Sequence, residues 1–230
     1  MKKLFILLSI ALATQTNAQT ITGGDMETWK TYTVGFSSQQ RPDAWFSTDS
    51  LIGFIKSLSL KSYSQRVTKS TTVKNGGTAS AMLVSADPSV DSLPTILANG
   101  NIKFNLTDIL AGNFTKINYV GGTNVTKRIV FAHAYTQYTT TSADTGQMTV
   151  TAFKNGAGVG GTDSAIGSGS KLIMNSSSFV KQTCGVSYND ATMVPDRIVI
   201  TFTTSRKTVP VKGTTLYVDD VTISDPIGIE

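Results

Sequence analysis

The strongest pattern along the chain is a two-residue alternation of apolar and polar side chains. Between Arg197 and Thr203, Ile198, Ile200 and Phe202 fall on one face, with Val199, Thr201 and Thr203 on the other. That is the period of a pleated strand with one covered face. In a second run Ile129, Phe131, His133 and Tyr135 share a face, set against Val130, Ala132 and Ala134. If this strand runs on, Tyr135 and Gln137 stay together and Tyr138 falls on the opposite face. Similar runs predict strands at 53–60, 65–74, 79–85, 101–105, 146–154, 179–188 and 214–224. Asn75-Gly76-Gly77 is a turn signal, because Asn and Gly reach positive φ at little cost. Residues 85–94 and the Gly- and Ser-rich stretch 155–170 read as loops, and 107–110 as one helical turn. About ten short strands at this spacing predict an all-β fold, a two-sheet antiparallel β-sandwich of jelly-roll topology. Such a fold brings its first and last strands side by side.

The N-terminus departs from this alternation. Met1, Lys2 and Lys3 precede an apolar run from Leu4 to Ala13 broken only by Ser9, and Thr16-Asn17-Ala18 offers a small-x-small site before Gln19. This is the three-part pattern of a secretory signal peptide. The run is shorter than the roughly 20 apolar residues that span a bilayer. No later stretch is apolar enough to do so, and the chain is expected not to span a membrane. No Cys adjoins the cleavage site to take a lipid. The chain therefore divides into a signal peptide (1–18), a β-sandwich domain (19–224) and a C-terminal tail or truncated linker (225–230). Its expected location is the periplasm, the cell surface or the medium.

Charge and cysteine content narrow the picture. With Lys2 and Lys3 removed, the 20 basic residues become 18 against 15 acidic, a net charge of +3 instead of +5. The pairs Lys127-Arg128 and Arg206-Lys207 stand apart, without the stripe of positive charge and aromatics that nucleic acid requires. No nucleic-acid partner is expected. Cys184 is the single cysteine, so no intrachain disulfide forms, and the core, with or without a bound ion, must hold the fold. Its alternating surroundings predict a buried, inert thiol.

Glu is nearly absent: only Glu27 and Glu230 occur. A glycosidase needs two carboxylates about 5–9 Å apart, and the adjacent Asp219 and Asp220 point to opposite strand faces unless a bulge intervenes. His133 is the only histidine, which excludes a multi-His zinc site, and neither H-E-x-x-H nor G-x-S-x-G occurs. A Cys184–His133 dyad competes with the plainer reading of a core cysteine and a strand histidine. No catalytic residue is assigned. Asp25 and Glu27 near the start and Asp219 and Asp220 near the end converge if the outer strands meet. Carboxylates with backbone carbonyls suit Ca²⁺; the alternative is turn aspartates facing solvent. Trp29 and Trp45 read either as core or as sugar-stacking platforms. Where the second strand meets the Thr-rich 139–142 stretch, Tyr135 and Tyr138 with His133 and Gln137 combine aromatic faces and polar groups in a manner that suits a sugar.

The order of several short motifs extends this reading. They are Gly23-Gly24-Asp25-Met26-Glu27-Thr28-Trp29, Arg41-Pro42-Asp43-Ala44-Trp45, Lys74-Asn75-Gly76-Gly77-Thr78-Ala79-Ser80-Ala81, the strand from Arg128 to Tyr138, Asp144-Thr145-Gly146-Gln147-Met148, and Leu216-Tyr217-Val218-Asp219-Asp220-Val221-Thr222-Ile223. Together they resemble the carbohydrate metabolism domain (PCMD) of Bacteroidota surface proteins. More broadly, they are similar to the galactose-binding-like jelly rolls used as carbohydrate-binding modules. The resemblance implies a structural Ca²⁺ held by Glu27 and Asp220, with Asp25 and Asp219 beside them. It also implies a glycan site, for which Tyr135, Gln137, Tyr138, His133 and Trp45 are the candidates. Asp49-Ser50-Leu51, Asp91-Ser92-Leu93 and Asp163-Ser164-Ala165 resemble the O-glycan acceptor sequence of the same group. The first functional expectation is an exported, non-catalytic carbohydrate-binding or surface-accessory module whose partner is a glycan or polysaccharide. The second is a structural or adhesive module binding envelope proteins, and the third a glycan-active enzyme of unusual constellation.

Overall fold

Alternating apolar residues stack two antiparallel sheets against each other. The computed structural model describes residues 18–34, 37–58, 64–86, 94–103, 118–158, 161–207 and 209–225. Its strands are β1 (Ala18–Thr20), β2 (Trp29–Val34), β3 (Ser37–Pro42), β4 (Phe46–Ser47), β5 (Val67–Ser70), β6 (Ser80–Val84), β7 (Ile96–Ala98), β8 (Asn101–Lys103), β9 (Asn118–Val120), β10 (Thr123–Asn124), β11 (Phe131–Thr139), β12 (Gly146–Lys154), β13 (Ser164–Ile173), β14 (Val180–Gly185), β15 (Ser187–Tyr188), β16 (Arg197–Thr203) and β17 (Thr215–Ser224); the helix α1 spans Thr48–Leu58. Residues 1–17 of the expected signal peptide, the 87–93 part of the first expected loop, the turn expected at 107–110 and residues 226–230 of the expected tail lie outside the described residues.

The front sheet runs β14-β11-β17-β6-β5, with β1 also on β17; the back sheet runs β15-β13-β12-β16-β7-β4, with β10 also on β16. The strand pairs β2–β3 and β8–β9 are added to this all-β, two-sheet antiparallel sandwich of jelly-roll topology. First and last strands meet as expected, Gln19 opposite Ile223 and Thr20 opposite Thr222. The anticipated cleavage point before Gln19 falls inside this pairing.

The core lies between the sheets. Leu83, Ala132, Ala134, Tyr138, Leu216 and Val218 enter it from the front, and Met148, Val150, Ala152, Ile198, Ile200 and Phe202 from the back. Burying each larger apolar side chain contributes about 1.5–3 kcal/mol. Cys184 joins this core, and burial pushes its thiol up to about 11, so it is inert. Cys184 lies opposite Ala132, whereas His133 lies opposite Thr183. Thiol and imidazole therefore occupy different faces of the sheet, and no dyad forms.

Two stretches differ from expectation. The strand expected at 53–60 is helix over 53–58, the C-terminal part of α1, and 59–60 lie outside the described residues. Leu51, Ile52 and Ile55 recur at helical spacing, and Leu51 and Ile52 are buried. Asp49 in the first turn anchors the helix to β5: its carboxylate accepts the main-chain N–H groups of Arg66 at 2.9 Å and Val67 at 2.8 Å. Ser50, in the acceptor-like sequence, accepts a hydrogen bond from Arg41 and donates one to Gln39, so its hydroxyl is engaged inside the fold. The second difference is at 155–170, where β13 replaces the distal half of the expected loop. Gly169 serves close approach rather than flexibility, since a Cβ there would lie 1.9 Å from the Gly185 carbonyl oxygen.

Candidate functional site

Strand β11 divides its side chains by alternation. Ala132, Ala134, Thr136 and Tyr138 are buried, while His133, Tyr135 and Gln137 are half-buried on the outer face of the front sheet. Tyr138 is fully buried, and its hydroxyl donates to the Thr204 carbonyl at 2.9 Å. Burial pushes its phenol well above the usual tyrosine range. Gly146 packs closely against it: a Cβ there would lie 3.2 Å from the ring. Trp45 is likewise core: its indole N–H donates to the Thr22 carbonyl at 3.2 Å, and its ring centroid lies 6.1 Å from that of Phe202. Tyr138 therefore leaves the set of surface sugar contacts, because the inward alternation of β11 buries its ring, and Trp45, in the segment just before β4, leaves it because its ring packs in the core beside Phe202.

His133, Tyr135 and Gln137 do share one face. The imidazole sits 3.0 Å from Thr183 Oγ1 and 3.3 Å from Ser224 Oγ, so neighbouring strands hold both ring nitrogens. Burial, with Lys181 nearby, lowers its pKa and favours the neutral ring. Gln137 lies opposite Tyr217 of β17, whose side chain alternates outward between buried Leu216 and Val218. Above Gln137 an open trough of about 450 Å³ is walled by 72–75 on one side and 177–179 on the other, with Phe179 in the second wall. Tyr217, Phe179 and the 72–75 wall were not anticipated. Tyr217 was legible in the period of β17; the walls depend on tertiary contacts.

Four carboxylates hold the first wall or lie beside it. Tyr135 pairs with Asp219, and the ladder shifts register between His133 and Tyr135. Asp220 takes φ of 47°, the left-handed region rare for residues other than glycine. This is the bulge that lets adjacent aspartates serve one partner. Asp219 Oδ2 accepts the main-chain N–H groups of Asn75 at 2.8 Å and Gly76 at 3.3 Å, and Asp220 Oδ2 accepts the Asn75 side-chain amide at 2.8 Å. Glu27 reaches the far end of the same turn, accepting the N–H groups of Thr78 at 2.8 Å and Ala79 at 3.2 Å and the Thr78 hydroxyl. Burial opposes ionisation of Glu27, yet these Thr78 and Ala79 hydrogen bonds bring its pKa below the usual range. Gly77 is constrained twice: its φ is 51°, and a Cβ would lie 2.0 Å from Glu27 Oε1. Asp25 bonds locally to the Glu27 N–H at 3.3 Å.

The expected convergence of the chain ends thus occurs for Glu27, Asp219 and Asp220, but on a turn. Their oxygens face N–H donors, which repel a cation. Among the described residues no three His, Cys, Asp or Glu side chains are grouped so as to hold a metal ion. The donor set does not fit the Ca²⁺ site implied by the resemblance; the N–H groups of Asn75, Gly76, Thr78 and Ala79 fill the role of the cation.

No protein family matches the sequence, and no curated protein does. Among solved structures the chain is similar to arabinose-bound MgGH51 α-L-arabinofuranosidase, at 13% identity and a TM-score of 0.48, over 92% of this chain and 27% of that one. It is similar to the CBM22-1–GH10 modules of the N-terminal endo-1,4-β-D-xylanase 10B of Clostridium thermocellum complexed with xylohexaose, at 12% identity and a TM-score of 0.42, over 90% and 27%. A further similarity is to the CBM22-1 xylan-binding domain of Paenibacillus barcinonensis Xyn10C, at 9% identity and a TM-score of 0.41, over 91% and 94%. The chain spans about a quarter of the first two proteins. The resemblance to the Bacteroidota domain rests on the motif order alone.

Proposed function

We propose that this chain is an exported, non-catalytic carbohydrate-binding module that takes a polysaccharide along the outer face of its front sheet. The observation that carries this reading is the trough above Gln137. It is open and walled on both sides, with the Gln137 amide on its floor and the Phe179 ring in one wall; Tyr217 lies opposite Gln137 on the adjacent strand. Tyr135 continues the same face one step along β11. Sugars are bound by this combination: rings cover the apolar C–H faces, and amides and hydroxyls pair with sugar hydroxyls. An open trough suits a chain that continues past both ends of the contact. The pattern of a signal sequence at 1–18 supports export.

Affinity electrophoresis through gels containing soluble polysaccharides tests the reading. Retardation by at least one polysaccharide is expected, with affinity reduced about tenfold in Gln137→Ala, Tyr135→Ala or Tyr217→Ala, the scale of one lost polar or stacking contact. Unretarded migration across a broad panel, or retardation indifferent to all three substitutions, overturns it.

A further inference from the structure

A second cavity, of about 420 Å³, lies where the β2–β3 hairpin meets the β8–β9 pair, and it shares no lining residue with the trough. Tyr32, Arg41, Ala44, Trp45, Asn101 and Gly122 are among its walls. Three of them, Arg41, Ala44 and Trp45, come from the Arg41-to-Trp45 motif, which the trough does not use.

Arg41 decides its chemistry. Its guanidinium lies 3.8 Å from the Tyr32 ring centroid and 5.6 Å from that of Phe46, which fixes its plane. Of its five N–H donors, one finds Ser50 Oγ at 2.8 Å, and Nε is buried without an acceptor. Among the described residues no carboxylate pairs with it; Asp43, on the same hairpin, is taken by Lys30 at 2.8 Å. An arginine cannot discharge by losing its proton. A half-buried, permanently charged group whose one acceptor is neutral favours an anionic ligand beside it.

The rest of the cavity is built for close approach. Ala44 takes φ of 63°, a strain of about 1 kcal/mol or more for a residue with a Cβ. Its N–H is held by Asp43 Oδ1 at 2.9 Å, and the turn closes with Trp45 N–H on the Pro42 carbonyl at 3.1 Å. Gly122, at φ of 102°, leaves the opposite wall without a side chain. The volume is within the range of small-ligand sites, about 300–1,000 Å³.

We infer that this cavity binds a sugar unit bearing an oxyanion, a carboxylate or a sulfate, paired with Arg41. Calorimetric titration of the full chain with methyl β-D-glucuronide, glucose 6-sulfate and methyl β-D-glucoside tests this. At least one charged sugar is expected to bind about tenfold more tightly than the neutral one, as a charge-assisted pair requires, and the two charged ligands tell carboxylate from sulfate. The preference should weaken in about 0.5 M salt. It should vanish in Arg41→Gln, persist in part in Arg41→Lys, and survive Tyr135→Ala and Gln137→Ala. Equal affinity for charged and neutral sugars, a salt-indifferent preference, or one that follows the trough substitutions instead of Arg41 overturns the inference. Retardation by neutral polysaccharides is read independently, so the two sites can fail separately.

Discussion

Asp219 and Asn75, 144 positions apart, are joined by a 2.8 Å hydrogen bond from the Asn75 main-chain N–H to Asp219 Oδ2. With Glu27 on Thr78 and Ala79, this bond fixes the wall of the trough to the front sheet. Asp219→Ala and Glu27→Ala are each expected to cost about 1–3 kcal/mol, since they leave main-chain N–H groups short of an acceptor. The same substitutions should weaken polysaccharide binding, because the wall is displaced. Chelation should leave the thermal midpoint unchanged; a midpoint that falls with chelator would return the turn to a cation.

Stability should pass through a maximum at mildly acidic pH. Burial pushes the carboxyl groups of Asp49 and Asp219 up to about 6 each, from an ordinary 3.8. Between those values the folded chain holds more protons than the unfolded one, so stability falls as pH rises through that window. Asp43, Asp163 and Asp196 are held below the ordinary range by hydrogen bonds from Lys30, Arg197 and Lys154. Their contribution is complete at neutral pH and is lost as pH falls below 3.8 toward their folded values. Urea midpoints should rise from pH 7 to about 5 and drop below about 4. Asp49→Asn should flatten the upper limb, and a steady decline from pH 7 downward would contradict the assignment.

Tyr138 and Gln137 are neighbours with opposite duties. Tyr138→Phe loses the bond to Thr204 and should cost about 1 kcal/mol of stability with no change in sugar affinity. Gln137→Ala should reverse that pattern. Thermal melts alongside affinity gels separate the two; loss of binding in Tyr138→Phe at full stability would place the ring at the surface.

Gly169→Ala probes the stretch whose composition imitates a loop. A Cβ there must displace the Gly185 carbonyl, and overpacking of this kind costs about 1–3 kcal/mol. A melting temperature equal to that of the parent would mean that β13 stands further from β14.

Where alternation was long, the sequence was explicit. β16 and β12 have the expected bounds, and the inward and outward sets of β11 were readable to Tyr138. Short apolar runs were ambiguous, so Gly53 and Phe54 suggested a strand although α1 contains them. Composition misled at Gly167 and Gly169, where absence of a side chain serves packing between strands. Tyr135, Gln137 and His133 were placed together on the outer face because period alone assigns a face. Trp45 and Tyr138 were misassigned because an aromatic's chemistry does not reveal its depth. The acids were recognised as convergent, but what they converge on is an amide-lined turn, and that partner is set by tertiary geometry.

The position of β17 has a consequence for how the molecule comes into being. It lies inside the front sheet, hydrogen-bonded to β11 on one side and to β6 and β1 on the other. No earlier segment can complete that sheet until residues 215–224 have been synthesised and have reached the same compartment. In a chain threaded N-terminus first through a membrane, the front sheet would therefore close only after β17 has crossed, however early the back sheet forms.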